Sequence, residues 1–468
     1  YIASGAQAEA AGDLQVSYHA GLVSAREEKA LGVNVNFDPC VDILYNWRNT
    51  IVNTRAYGTD AETVIKYTNA YLDGLTAENG ENMEDGVIQC IKHFPGDGTE
   101  ERDQHLVLGV NELSPEEWRA SFGKVYQNHI DRGVEMIMAG HIAVPALQKE
   151  LNSALEDKDI MPATLAEELI QDALKTELGF NGLVITDATH MLGMTSAMRR
   201  EDYVPKSIAA GCDMFLFFNN IEEDFGFMLK GYQNGVITEE RLTDALRRIL
   251  GLKAKLHLPE KQANGTLLRT REDLNVIGCE EHLQWRAEAA DKGISLIKDT
   301  QNNLPINPVD HKRIRLYMLE GEKGGITDNG SKAQQLFVDE LTKRGYEVTV
   351  NERGSRVKGA TLKYRDEVDF ALEVADIAGY GAQNNYRIQW STAMANEVPW
   401  FVWEVPHAFV SLNFTTHLHD ATMVKTFVNA YHNNEETIKQ VIDKLEGKSE
   451  FKGGHNDLVW TDKWQAKL

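Results

Sequence analysis

What most constrains this chain is the order of its apolar segments. From residue 1 to about 255, short β-type runs take turns with longer stretches whose apolar residues recur at three- and four-residue spacing. The short runs are 33–37, 87–91, 135–138, 183–186 and 214–217, and between them the spacing predicts helices over 61–78, 115–132 and 165–178. Such alternation builds parallel βα units. Directly after the strands stand residues with chemistry to offer: Asp38, Lys92 with His93, His141, Asp187 and, a little further on, Asn219. Polar side chains converging at strand C-termini mark the working face of a (β/α)8 TIM-type barrel, although a doubly wound sheet would place its ligand at the same ends. The barrel is the favoured expectation for residues 1–255.

A second pattern follows. Residues 256–290, with Pro259, Gly265 and many charges, read as a linker. Beyond it, expected strands at 294–298, 313–319, 347–350, 370–374 and 408–412, with helices at 331–344 and 421–431, predict an α/β sandwich domain over 291–468. Five strands in the first 255 residues fall short of eight. Either some strands are weakly patterned or the chain lacks an N-terminal part of its barrel, which leaves room for a homo-oligomer or a second chain that completes it.

Composition excludes more than it identifies. A formal net charge of −23 leaves no basic surface to neutralise a phosphate backbone, so nucleic acid is not an expected partner. No apolar run reaches the length of a membrane span, and no leader follows Tyr1; the compartment stays open, with the cytoplasm favoured. The four cysteines, Cys40, Cys90, Cys212 and Cys279, are too widely spaced to suggest a disulfide framework or zinc knuckle.

Two segments carry the chemistry. The first is Lys92-His93-Phe94-Pro95-Gly96-Asp97-Gly98, followed after four residues by Asp103-Gln104-His105. Proline and two glycines after an apolar strand predict a sharp loop, on which a carboxylate two residues from a histidine can grip one imidazole nitrogen and leave proton transfer to the other. A merely solvated charged loop is the competing reading. The second segment is Gly182-Leu183-Val184-Ile185-Thr186-Asp187-Ala188, a strand running straight into a carboxylate that can act as nucleophile or as an ordinary helix N-cap. A retaining glycosidase needs one group that attacks the anomeric carbon and one that first protonates the leaving oxygen and then activates water. Asp187 and the Asp103–His105 pair can supply both.

The run K-H-F-P-G-D-G-T-E-E-R-D-Q-H, with V-I-T-D-A-T-H-M, resembles the β-N-acetylglucosaminidase branch of glycoside hydrolase family 3. That branch usually shows K-H-F-P-G-H-G, four residues, then D-x-H, whereas the β-glucosidase branch lacks the D-x-H pair. The resemblance implies a barrel followed by an α/β sandwich, and a retaining exo-glycosidase (β-N-acetylhexosaminidase) acting on terminal β-linked N-acetylhexosamine without cofactor or metal. It implies Asp187 as nucleophile, His105 as general acid/base and Asp103 as its partner. Lys92, His93, Arg55 (in Asn53-Thr54-Arg55-Ala56-Tyr57-Gly58) and His141 would bind the sugar, although a buried structural role suits His141 equally well. Asp97 departs from the family's usual histidine, and the usual upstream Asp-containing segment is not found. The rivals are a β-glucosidase, a phosphorylase using phosphate in place of water and, in another class, a non-catalytic sugar-binding protein. His417-Leu418-His419-Asp420 lacks nearby further ligands and reads as loop packing, and the glycines of 321–330 lack phosphate-loop spacing and read as a turn.

Overall fold

Among the described residues, six short strands carry the front part of the chain: β1 (Val35–Asn36), β2 (Ile88–Phe94), β3 (Gly109–Val110), β4 (Met136–Ala139), β5 (Ile142–Ala143) and β6 (Leu183–Thr186). The computed structural model describes residues 2–80, 83, 86–321, 331–356, 360–378 and 386–468; of the expected turn at 321–330, all but Gly321 lies outside the described residues. By packing, the chain divides into two compact units, one of residues 17–52 and 56–282, the other of 2–16, 53–55 and 283–468.

In the first unit β1, β2, β4 and β6 form a parallel sheet in that order. Every residue of β4 and β6 is buried, as expected of parallel strands covered on both faces. Residues two apart share a layer, so Ile88 and Cys90, Met136 and Met138, and Leu183 and Ile185 form one apolar cluster. The intervening helices start where local chemistry dictates. Asp60 caps Ala61–Thr76 by accepting from the Thr63 N–H at 3.0 Å, and a Ser114–Glu117 capping box opens the helical run at Pro115.

Among the described residues, ladder hydrogen bonds do not close this sheet into a barrel. The run 214–217, expected as a strand, makes a single bridge between Met214 and Ile185. It is turned aside at Phe217, whose φ of 62° is left-handed and incompatible with a continuing strand. Residues 165–178 do not form a regular α-helix either; Glu168–Glu177 winds as a wider π-helix. The stretch 256–290, expected as a linker, carries the helix Leu258–Asn264 and most of Glu280–Gly293.

The second unit contains β7 (Ser295–Asp299), β8 (Arg313–Glu320), β9 (Glu347–Val350), β10 (Phe370–Asp376), β11 (His407–Ser411) and β12 (Thr426–Asn429), arranged β7-β12-β11-β10-β8-β9 with only β7 antiparallel. Alternation assigns the faces: Ala408 and Val410 join a core with Phe337, Leu341, Val441 and Leu445, while Phe409 joins one with Phe427, Leu418 and Val459. Residues 421–431 were expected as a helix and hold β12 instead. Thr426-Phe427-Val428 is a short run of β-branched and aromatic residues, fully buried beside β11, and burial in the sheet overrides the helix-like spacing around it. Among the described residues of both units, no helix is long and apolar enough to cross a membrane.

Candidate active site

The site grows from the C-terminal end of β2. After Phe94 the chain must reverse without leaving the sheet, and two glycines allow it. Gly96 has φ +123°, and a Cβ there would stand 2.1 Å from the Phe122 ring; Gly98 has φ +107°, and a Cβ would stand 2.0 Å from the Ile43 carbonyl oxygen. The loop is pinned by the Trp118 indole N–H donating to the Pro95 carbonyl (2.9 Å) and by Asn111 donating to that of Gly96 (3.1 Å). The peptides before His93 and Pro95 are cis.

Two His–Asp pairs result. Asp103 accepts through Oδ1 from the His105 backbone N–H (2.8 Å) and from its ring Nδ1 (2.7 Å). With Nδ1 donating, the neutral ring carries its lone pair on Nε2. The Asp103 side chain is fully buried while that of His105 is 33% exposed, so the carboxylate is held and the imidazole can be reached. The second pair was not foreseen: Asp42 accepts from His93 Nδ1 at 2.7 Å, from the His93 N–H at 3.2 Å, from the Asp97 N–H at 2.8 Å and from the Cys40 thiol at 3.0 Å. Burial works to raise the Asp42 pKa, but the His93 ring and these donors outweigh it and hold the carboxyl below its usual range. Asp97 goes the other way. Burial and the adjacent Asp42 charge push its carboxyl up to about 7, against donation from Gly98 N–H (2.6 Å) and Asn49 Nδ2 (2.9 Å).

Asp187 follows β6 directly, and its backbone N–H extends the ladder onto Ala139 O at 2.8 Å. Its half-buried carboxylate accepts from the Ala188 N–H at 2.7 Å. Burial alone would raise its pKa; the His93, His141 and His105 imidazoles and that N–H together hold it below the usual value. A carboxylate held ionised against its burial can act as a nucleophile.

Of the residues singled out in the sequence, Asp103, His105, His93, His141 and Asp187 therefore share one electrostatic neighbourhood, and half-buried Lys92 lies close enough to bias Cys90 beside Asp187. The buried His141 ring is engaged on both sides, Nε2 with the Ala188 carbonyl and Nδ1 with the Thr164 hydroxyl, each at 2.9 Å. Burial lowers its pKa, so the neutral ring donates from Nε2 and accepts at Nδ1. That is the bonding of a residue that supports the Ala188–Thr189 peptide, one residue past Asp187. Half-buried Arg55 ends the turn Asn53–Arg55, which packs with the second unit.

Sequence reasoning missed Asp42, Asn49 and Gln104. A carboxylate set between Val41 and Ile43 in an otherwise apolar run was the available signal for the first. Cys40, Asp42 and His93 are the one trio among the described residues whose potential ligand atoms lie within 4.8 Å of one another, but the thiol and the ring already donate to Asp42, which is the pattern of a hydrogen-bonded cluster. In the second unit, buried His417 bonds to the Ser411 hydroxyl (2.7 Å) and the Tyr386 carbonyl (2.9 Å), so its ring is likewise taken up by packing.

Residues 3–252 match the family model described as the glycosyl hydrolase family 3 N-terminal domain. A beta-N-acetylglucosaminidase/beta-glucosidase from Cellulomonas fimi is 39% identical over all of this chain and 82% of its own length. Among solved structures, the beta-glucoside phosphorylase BglX superposes with a TM-score of 0.92 at 37% identity, covering 100% of this chain and 82% of that one. A beta-N-acetylglucosaminidase from a Paenibacillus species shares the fold at a TM-score of 0.79 and 21% identity, over 97% of this chain and 81% of its own.

Proposed function

From the premise that the chain belongs to glycoside hydrolase family 3, we propose that it is a retaining exo-glycosidase in which Asp187 attacks C1 of a terminal β-linked N-acetylhexosamine. The observation that carries this reading is geometric: Asp187 directly follows β6, the segment after it donates from Leu192 and Gly193 to the His105 and Gln104 carbonyls, and the His105 ring is oriented by buried Asp103. In the first step the Asp187 carboxylate forms the bond to C1 while protonated His105 gives its proton to the departing oxygen. In the second, neutral His105 takes a proton from water as that water displaces Asp187. Asp103 keeps the Nδ1–H tautomer through both steps, as the carboxylate of a catalytic triad does. Lys92 and His93 bind sugar hydroxyls, and His141 holds the Ala188 carbonyl one residue past the nucleophile.

Residues 1–255 are read as a catalytic (β/α)8 barrel with the site at its strand C-termini, 256–290 as the connection and 291–468 as an α/β sandwich. The test of the chemistry is turnover of an aryl β-N-acetylglucosaminide: Asp187→Ala abolishes it, and a variant of wild-type activity refutes the assignment.

A second reading has its own support. A neutral imidazole does not repel an incoming phosphate as a carboxylate would, and a protein with 37% identity bears the name of a beta-glucoside phosphorylase. Parallel assays on glucoside and N-acetylglucosaminide, each with and without inorganic phosphate, separate the readings. Free sugar independent of phosphate supports hydrolysis, and sugar 1-phosphate supports phosphorolysis.

A further inference from the structure

Between Asp103 and His105 sits a residue that the proposed chemistry does not use. Gln104 is 1% exposed, and both its side chain and its backbone are spoken for. Its Oε1 accepts from the His141 N–H at 2.7 Å, just past the end of β4. That bond fixes the orientation of the amide, so Nε2 points to Asp97 Oδ2, 3.5 Å away at the edge of hydrogen bonding. Its carbonyl accepts from the Gly193 N–H at 3.1 Å, and the next carbonyl, of His105, from the Leu192 N–H at 3.0 Å. The acid/base loop is thereby tied to the segments that follow β2, β4 and β6.

The close approach depends on glycine. A Cβ on Gly193 would lie 2.8 Å from the Gln104 carbonyl oxygen, 3.0 Å from that of Val107 and 2.8 Å from the His141 Cβ. Two of these atoms are backbone and the third is fixed to it, so none can yield cheaply. A Cβ on Gly140 would come within 3.2 Å of Gln104 Oε1 and 3.1 Å of the His93 Cβ.

We infer that Gln104 is a positioning residue: its amide, holding the His141 N–H, and its carbonyl, seated against Gly193, clamp the Asp103–His105 pair to the segments that follow β4 and Asp187. The inference rests on the proposed roles of Asp187 and His105. It explains why a buried amide stands where any loop residue could bridge Asp103 to His105, since an unpaired buried polar group is costly and only a paired one is retained without penalty. Proton donation is sensitive to such placement, because a misplacement of about 1 Å can cost about 100-fold in rate.

The test exploits leaving-group chemistry. Dinitrophenolate departs without a proton, whereas a methoxide leaving group needs one. Gln104→Met, of similar length but without polar atoms, should lose about 10- to 100-fold in kcat/KM on the methyl glycoside and little on the dinitrophenyl glycoside. Gly193→Ala, which forces apart the backbone carbonyl contact at the other end of the clamp, should show the same split and covers the case in which Gln104→Met does not fold. His105→Ala is the yardstick. If it shows the split and neither clamp variant does, or if both clamp variants lose equally on the two substrates, the positioning role is overturned while the acid/base reading stands. If His105→Ala itself shows no split, the acid/base reading falls first.

Discussion

The two His–Asp pairs of the first unit have the same bond and different circumstances. In each, a carboxylate holds the histidine Nδ1 at 2.7 Å. The His93 side chain is only 7% exposed, and its Asp42 also accepts from Cys40 and from the backbone of the loop; the His105 side chain is 33% exposed, and its Asp103 also accepts from the His105 N–H. An oriented imidazole is therefore not by itself an acid/base. The buried pair is built as a fixed contact that also anchors the β2 loop, and the open pair as one whose ring can exchange a proton with a substrate and with water.

The largest expected effect sharpens that contrast. His105→Ala should lower kcat/KM on a substrate with a poor leaving group by about 100- to 10,000-fold, the usual worth of general acid–base catalysis, and alkyl and activated aryl glycosides compared side by side would reveal it. His93→Ala should instead weaken binding and transition-state contact on both substrates alike. A leaving-group split in His93→Ala and none in His105→Ala would reverse the roles. Asp103→Asn comes next. Loss of the carboxylate that fixes the ring should cost about 100-fold or more in kcat with the melting temperature little changed. Asp42→Asn should do the opposite and lower stability by about 1–3 kcal/mol in chemical denaturation, because it disturbs a buried acceptor with four donors.

How legible these pairs were follows from chain distance. Asp103 and His105 are two residues apart on one loop, so local spacing revealed them. Asp42 meets His93 across 51 residues, and only the folded sheet brings them together. Asp187 was readable because β6 is a short buried run that ends on it. The same kind of reading failed at 421–431, where packing beside β11 overrides the spacing, and at 214–217, where the chain turns at Phe217. It also failed for Gln104, whose partners at 141 and 193 belong to other βα units.

The smallest expected effect concerns Asp97, which lies between the pairs. Its folded pKa is raised to about 7, so the proton it carries favours the fold. That contribution is complete below the unfolded carboxylate range and is lost as pH rises through the folded value. Asp97→Asn, neutral throughout, should melt a few degrees higher than wild type at about pH 9, with the gap shrinking at about pH 5 and closing below the unfolded carboxylate range. Parallel melting curves across that range would contradict the assignment of the proton to Asp97.

Covalent trapping tests the central claim most directly. Incubation with an activated 5-fluoro N-acetyl-β-hexosaminide, which keeps the 2-acetamido group, then proteolysis and mass spectrometry of the labelled peptide report which side chain bonds to C1. The predicted result is a stoichiometric glycosyl ester on the peptide that carries Asp187; a label on any other residue, or turnover with inversion at C1, would contradict it.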